Sequence, residues 1–285
     1  MEFNIRNPLT LFTHSCPSIF LAEYDDLPTL KATDADICFR REAICSISQF
    51  ACKFDPFISY LAVNYLDRFL STQAIPQQPK PWVLRLVAVC CVSLAAKMNE
   101  ADFSLTDVQA DGGFMFDAQT VERMEYVILG ALKWRMRSIT PFSFVSFFIS
   151  FFNRKDPSLT QALNARAVEI IFKAQSDIKV LEFKPSIIAA SALLSASNEL
   201  FPLLFPSYHK AISSCLYIHK ENPLECYNWM VGKERDDSMV YSCNTAVNVL
   251  DHQFSCSESE NGKISDYSEN QTPISLRSNT VDDES

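Results

Sequence analysis

The sequence predicts an all-α fold, and three observations support this prediction. Glycine is scarce, with 5 among 285 residues, which disfavours tight hairpins and glycine-lined phosphate loops. Apolar residues make up 48% of the chain and include 22 Phe, enough for a substantial core. Between residues 36 and 232 they recur at the spacing of amphipathic helices. The length suits one large domain or two of about 100 to 150 residues.

The first helical region spans residues 36–137 and follows an irregular arm, residues 1–35, in which apolar residues have no period. The segment FISYLAVNYLDRFLS, residues 57–71, carries a clean i, i+3, i+4 apolar stripe. Further boundaries come from prolines and capping residues. These are Pro76, Pro79 and Pro81 before the next helix, Ser104 and Asp107 capping a short helix that ends near Gly112-Gly113, and Asp117 capping a helix that runs to about Lys133.

A second helical region spans residues 138–235. Thr140-Pro141 has the pattern of an N-cap followed by proline at the first helical position, and further helices are predicted near 158–180, 185–199, 208–219 and 223–233. The two regions show a weak internal sequence repeat. Lys80-Pro81 and Lys184-Pro185 each open an apolar, small-residue helix of the kind found at the centre of a bundle.

Residues 236–285 are rich in Ser and acidic residues, and we predict a disordered tail. From residue 251 onward, eight acidic and two basic residues give a net −6 of the total −9. The nearly balanced remainder argues against nucleic-acid binding, which normally needs a basic surface. No basic segment precedes an apolar stretch at the N-terminus, and no apolar run reaches the ~20 residues of a membrane span. We therefore expect a soluble intracellular protein that does not bind membranes.

The ten cysteines do not predict disulfides or a metal site. Cys38, Cys45 and Cys52 recur every seven residues, which puts successive members about 10 Å apart along one helix, too far for a disulfide. No histidine pair lies at zinc-ligand spacing from a Cys-x-x-Cys. We expect reduced, mostly buried cysteines, and neither a metal nor a cofactor.

Lys97 and Glu125 are the charged residues that need an explanation. Lys97 follows eleven uncharged residues, 86–96, and Glu125 lies within an apolar helical stripe. An acid in such a stripe is costly unless it is paired. Either the two residues pair with each other inside the protein, or they form a docking site for another protein; spacing leaves both alternatives open.

Four segments together resemble the cyclin box, specifically that of plant D-type cyclins: YLAVNYLDRFLS (60–71), SLAAKM (93–98), RMEYVILGALKWRM (123–136) and TPFSF (140–144). FLAEYDD in the arm and RREAI at 40–44 fit the same group. The resemblance covers roughly residues 20–200, with the motifs in order. Among the plant D-type cyclins, the sequence most resembles the short sixth subclass. It implies two tandem five-helix cyclin folds and a non-catalytic regulatory subunit that activates a cyclin-dependent kinase at the G1/S transition.

The resemblance also implies roles for individual residues. Lys97 and Glu125 face outward and bind the kinase near its mobile C-helix, whose inward movement completes the kinase Lys–Glu pair that holds ATP. Three further positions should line the interface: Glu100, Trp134 and Met136. Arg40 and Asp67 should form a structural pair between the first two helices of the box, with Leu86 a packing position.

The expected partners are a cyclin-dependent kinase in a heterodimer, kinase inhibitors, and, weakly, retinoblastoma-type proteins, with the nucleus and the cytoplasm as locations. Two departures from the family limit substrate docking. Ser46 stands where many cyclins have a docking-patch tryptophan, with Glu42 and Ala43 beside it in place of aliphatics. The arm has no Leu-x-Cys-x-Glu, and Leu224 to Asn228 matches it only by chance. In the tail, Thr272-Pro273 is a candidate phosphorylation site that would control turnover.

Two other functions fit the composition less well. An all-α enzyme with Asp-rich metal motifs is disfavoured because YDDLPT, residues 24–29, ends in Thr29 rather than a third Asp. No glycine-rich phosphate loop, HExxH or GxSxG occurs. The second alternative is a transcriptional cyclin or other adaptor on the same fold that does not act in G1; a DNA-binding version would need a basic face.

Overall fold

The structure, a computed structural model, describes residues 16–23, 27–28, 34–73, 80–109, 115–152, 157–218 and 223–243. Within these ranges the chain is helical and contains no strand. The helices are α1 (Cys16–Ala22), α2 (Asp34–Phe50), α3 (Pro56–Thr72), α4 (Pro81–Met98), α5 (Leu105–Val108), α6 (Ala118–Ala131), α7 (Phe142–Ile149), α8 (Pro157–Ala174), α9 (Pro185–Leu200), α10 (Phe205–Ser213) and α11 (Pro223–Cys243), with a 3-10 helix at Ile178–Glu182. The predicted all-α fold class is confirmed.

The helices form two similar bundles, each built around one central apolar helix. In the N-terminal bundle, α2, α3 and α6 pack on α4, in which every residue from Leu86 to Ala96 is buried. In the C-terminal bundle, α7, α8 and α10 pack on α9, which is buried throughout 186–197. α4 has the length and composition of a membrane span, but its burial makes it the core helix of this bundle.

Several helix starts follow the sequence signals, whereas α10 spans Phe205–Ser213 instead of the predicted 208–219 and α7 lacks its predicted cap. Asp55 caps α3 by accepting a 2.9 Å hydrogen bond from the Phe57 amide, and proline occupies the first position of α3, α4 and α9. Thr140 does not cap α7 as predicted. Its Oγ1 is buried without a hydrogen-bond partner among the described residues, whereas its carbonyl accepts from the Ser143 amide.

The arm contains a helix where the sequence predicted only irregular chain. α1 packs on the C-terminal bundle, with Phe20 stacked against Tyr217 at a ring-centroid distance of 4.8 Å. Glu23, which follows α1, accepts hydrogen bonds from the amide and hydroxyl of Ser186 at the start of α9. The expectation fails because α1 is stabilised by distant residues rather than by a periodic pattern of its own.

At the other end, α11 continues to Cys243, beyond the predicted helix end near 233 and the predicted tail start at 236. The rest of the predicted tail, including Thr272, lies outside the described residues, as do Gly112-Gly113. The cysteine expectation needs a partial correction. Cys38 and Cys45 lie exposed on α2 and Cys52 lies exposed in the turn after it, whereas four others are buried: Cys90, Cys91, Cys215 and Cys226.

Candidate functional site

The pair formed by Lys97 and Glu125 joins the end of α4 to the middle of α6. The Lys97 ammonium donates to both carboxylate oxygens of Glu125, at 2.8 Å and 2.7 Å. The Glu125 side chain is 9% exposed, whereas the Lys97 side chain is 56% exposed. The internal pair is therefore formed, and it lies at the surface, so the two alternatives left open by the sequence do not exclude each other.

Glu125 is placed by a well-capped helix. The Asp117 carboxylate accepts a 2.6 Å hydrogen bond from the Thr120 amide at the first turn of α6. Hydrogen bonding with Thr120 lowers the pKa of Asp117, because it favours the ionised carboxylate. Val121 and Ile128 are buried on the inner face of α6, which orients the helix and brings Glu125 to Lys97.

Both helices that carry the pair end in the same type of turn, and neither has the glycine usually found at its left-handed position. At the end of α4, Glu100 has φ 53° and the Ala101 amide donates to the Ala96 carbonyl at 3.0 Å. At the end of α6, Lys133 has φ 53° and the Trp134 amide donates to the Leu129 carbonyl at 2.9 Å. These are Schellman turns, and a residue with a Cβ in the left-handed conformation costs roughly 1–2 kcal/mol. Such strain is often found at functional positions.

The turn after α6 is held in place by α3. The Tyr65 hydroxyl donates to the Met136 carbonyl at 2.7 Å. Arg68, buried beside it, donates to the Arg135 carbonyl and to Ser138 Oγ, both at 2.8 Å. Burial raises the pKa of Tyr65 far above its ordinary value, so the hydroxyl keeps its proton and remains a donor. Trp134 is thus presented from a rigid turn.

Two large aromatic side chains lie exposed on and just after α6, the helix that carries Glu125. Trp134 is 64% exposed and Tyr126 is 56% exposed, with their ring centroids 6.4 Å apart. Sequence reasoning missed Tyr126. A usable signal was present, since Tyr126 directly follows Glu125 and lies on the face of α6 away from the buried Val121 and Ile128.

Met136 does not occupy the position that the resemblance implies. It is 8% exposed and belongs to the N-terminal core, so its side chain supports the turn from beneath. We call the remaining residues the α4–α6 surface: Lys97, Glu100, Glu125, Tyr126 and Trp134.

Arg40 and Asp67 form a buried pair that extends beyond the first two helices of the box. Arg40 donates to the two Asp67 carboxylate oxygens at 2.7 Å and 3.1 Å. It also donates to the carbonyls of Gln175 and Ser176, at 2.8 Å and 3.1 Å, beyond the end of α8. The Gln175 side-chain amide in turn donates to the Tyr60 carbonyl at 2.8 Å. The pair therefore connects the two bundles. Leu86 is 5% exposed in the N-terminal core.

The part of α2 around Ser46 corresponds to the position of the docking patch in many cyclins, and Ser46 itself is not a large apolar residue. Ser46 is partly exposed and donates to the Glu42 carbonyl one turn earlier, and Glu42 itself is exposed. Ala43 is fully buried in the N-terminal core. Glu42 and Ser46 therefore make the outer surface of this part of α2 polar.

Comparison with known proteins identifies the family over most of the chain. Residues 26–137 match the cyclin N-terminal domain and residues 139–257 match the cyclin C-terminal domain. "Putative cyclin-D6-1" of Arabidopsis thaliana is 47% identical, with 91% of this chain and 93% of that protein aligned. "Cyclin-D6-1" of Oryza sativa subsp. japonica is 37% identical, with 91% and 84% aligned.

Among solved structures, a viral cyclin from herpesvirus saimiri has the same fold. It superposes with a TM-score of 0.58 at 19% identity, over 76% of this chain and 96% of the viral chain. The two tandem bundles are accordingly two cyclin folds. The chain belongs to the cyclin family, among the plant D-type cyclins.

Proposed function

We propose that the chain is the non-catalytic regulatory subunit of a cyclin-dependent kinase and that it binds the kinase through the α4–α6 surface. The observation that carries this proposal is the Lys97–Glu125 pair, formed at the surface by two helices that each end in a strained turn, with two exposed aromatic rings on and just after α6. Large exposed aromatics beside charged groups are typical of protein interfaces, where a few such residues provide most of the binding energy.

The geometry of the pair suits an activator that moves an element of its partner. A lysine ammonium has three N–H donors, and two of them are used by the Glu125 oxygens. The third can donate to a kinase backbone carbonyl, and each carboxylate oxygen can accept a further bond from a kinase lysine or amide. Since the pair is already formed in the free chain, little side-chain entropy is lost when the kinase binds. The surface thus offers a rigid template against which the kinase C-helix is held inward.

The test reverses the charge of each residue separately and then exchanges the two residues in a double variant. Lys97→Glu and Glu125→Lys should each weaken kinase binding by about 2–5 kcal/mol, the scale for leaving one member of an interfacial charge set unpaired. The double variant restores an internal ion pair but presents inverted charges to the kinase. We expect the double variant to fold normally but to bind the kinase poorly in calorimetric titration and to activate it poorly in a histone kinase assay.

A matched control lies in the C-terminal bundle, where Arg166 pairs with Glu199 at 2.6 Å between α8 and α9. Arg166→Glu should leave kinase affinity unchanged. If the swapped double variant regains full affinity, Lys97 and Glu125 serve only each other and the proposed site is wrong. Wild-type activation by both single variants would reject it as well.

We also propose that the protein acts in the nucleus before DNA replication, promoting the G1/S transition. The likeness to D-type cyclins supports this timing. A fluorescent fusion should be nuclear, and depletion should delay entry into replication in synchronised cells. An unchanged replication time after depletion would refute the proposed role.

Two further partner classes are proposed: kinase inhibitors that bind the assembled heterodimer, and retinoblastoma-type proteins that bind the chain alone only weakly. The weakness follows from the absence of Leu-x-Cys-x-Glu from the arm and the polar outer face of α2 around Ser46. A two-component titration tests the second proposal, and tight binding without kinase would contradict it.

A further inference from the structure

The turn after α6 has a left-handed backbone at two consecutive residues that are not glycine. Lys133 has φ 53° and Trp134 has φ 60°. This conformation is unfavourable for any residue with a Cβ, and it is uncommon for one as large as tryptophan. It persists only where the surrounding structure enforces it, so the contacts around Trp134 show what holds the turn.

The two residues that follow Trp134 are bonded to α3. The Met136 amide donates to the Trp134 carbonyl at 3.1 Å, and the Met136 carbonyl accepts from the Tyr65 hydroxyl at 2.7 Å. The Arg68 guanidinium, one helical turn further along α3, donates to the Arg135 carbonyl at 2.8 Å. Two donors from α3 therefore fix the backbone immediately after the strained residues.

Neither donor is exposed enough to bind a partner directly. Tyr65 is fully buried and Arg68 is 7% exposed, whereas Trp134 is 64% exposed. The Met136 side chain is also buried, in the N-terminal core, so the chain after Trp134 is held by side chain and backbone together. Any effect of Tyr65 or Arg68 on a partner must therefore act through the turn.

We propose that Tyr65 and Arg68 are positioning residues of the kinase site: they hold the strained turn so that the Trp134 indole projects from the free chain in its binding orientation. This inference rests on the proposed function and adds two buried residues of α3 to its determinants. An aromatic side chain that is already ordered loses less conformational entropy on association than a mobile one. Interface residues of this kind depend on a supporting layer of hydrogen bonds beneath them.

Tyr65→Phe is the main test, because it removes the hydroxyl and keeps the buried ring. We expect it to weaken kinase binding about fivefold, since the indole must then be ordered when the kinase binds. Arg68→Met should weaken binding at least as much, and Arg68→Lys, which keeps an N–H donor, should restore part of the loss. Affinity is measured by calorimetry with the cyclin-dependent kinase that the wild-type chain binds most tightly in a panel.

A double-mutant cycle separates positioning from a general loss of stability. If Tyr65 acts through Trp134, Tyr65→Phe should add nothing to the loss caused by Trp134→Ala. Ser191→Ala is the matched control, because the buried Ser191 hydroxyl also donates to a main-chain carbonyl, that of Pro223 at 2.9 Å, but in the C-terminal bundle. It should lower the thermal unfolding midpoint as Tyr65→Phe does and leave kinase affinity unchanged.

The mobility of the indole can be measured in the free chain. Trp134 becomes the only tryptophan when Trp82 and Trp229 are replaced by phenylalanine. In that background Tyr65→Phe should increase the fast component of the fluorescence anisotropy decay, whereas Ser191→Ala should not. An unchanged decay in Tyr65→Phe would overturn the inference without any reference to the kinase.

The binding data distinguish failure of this inference from failure of the proposed function. Wild-type affinity in Tyr65→Phe and Arg68→Met, with Lys97→Glu and Trp134→Ala defective, would reject the positioning role while the proposed function stands. Losses from Tyr65→Phe and Trp134→Ala that multiply in the double variant would reject it as well, as would an equal loss in Ser191→Ala. If none of these variants loses affinity, the proposed function fails too.

Discussion

Replacing Arg40 with alanine should destabilise the whole folded chain, because this buried side chain connects the two bundles. Four hydrogen bonds are lost, two to the Asp67 carboxylate and two to the carbonyls of Gln175 and Ser176. Asp67 is 3% exposed, so its charge would be left in the interior without its ion-pair partner. The Gln175 and Ser176 carbonyls would lose their donor at the same time.

The magnitude follows from the burial of the pair. Removing one member of a buried ion pair costs about 3–5 kcal/mol, mainly through the uncompensated charge. Folded domains are stable by about 5–15 kcal/mol, so the loss is a large fraction of the total. Since the Gln175 and Ser176 carbonyls lie beyond the end of α8, the loss should also weaken the coupling between the bundles.

Urea unfolding followed by far-ultraviolet circular dichroism measures both effects. We expect a lower free energy of unfolding for Arg40→Ala, and two separated transitions where the wild type has one. Arg41→Ala is the control, because Arg41 is the exposed neighbour on α2 and its loss should change stability by less than about 0.5 kcal/mol. A loss below about 1 kcal/mol in Arg40→Ala, with a single transition, would refute the reasoning.

Two further predictions concern the cap of α6 and the C-terminal segment. Hydrogen bonding with Thr120 lowers the pKa of Asp117, so its stabilisation is present above about pH 4 and is lost as the pH falls through the lowered value. Asp117→Ala should therefore lower the thermal midpoint at pH 7, and the gap to wild type should narrow below pH 4; a gap that is constant between pH 3 and 7 would contradict this. Phosphorylation at Thr272 would add about 1.5 to 2 negative charges that an Arg-lined ubiquitin-ligase adaptor could bind. Thr272→Ala and removal of residues 256–285 should each lengthen cellular half-life without reducing kinase activation, and equal half-lives in a protein-synthesis chase would reject a role in turnover.

The sequence by itself determined the fold class and the main helix starts. Capping and proline signals act within a few residues, so Pro81 and Asp117 mark helix starts that the structure places where the pattern predicted. The uncharged run from Leu86 to Ala96 likewise identified a central helix, because only a helix covered on all sides is apolar all round. These features depend on local chemistry and periodicity.

Only the tertiary structure decided how residues far apart in the chain are joined. The sequence left two interpretations of Lys97 and Glu125 open, and the structure shows the two side chains in contact at 2.7 Å, between the end of α4 and the middle of α6. The additional role of Arg40 involves carbonyls 135 and 136 positions away, which no periodic pattern encodes. Thr140 has the sequence of a cap but not its geometry, since its hydroxyl is turned into the interior by packing.

The same limit applies to the turn after α6. From the sequence, a glycine near the end of a helix, here Gly130, suggests a left-handed cap, yet the left-handed residues are Lys133 and Trp134. The residues that directly follow them are held by Tyr65 and Arg68, which donate hydrogen bonds from a helix about 70 residues earlier. Local sequence specifies which segments become helices, whereas the strain, exposure and pairing of individual side chains depend on contacts between helices that the sequence brings together only through folding.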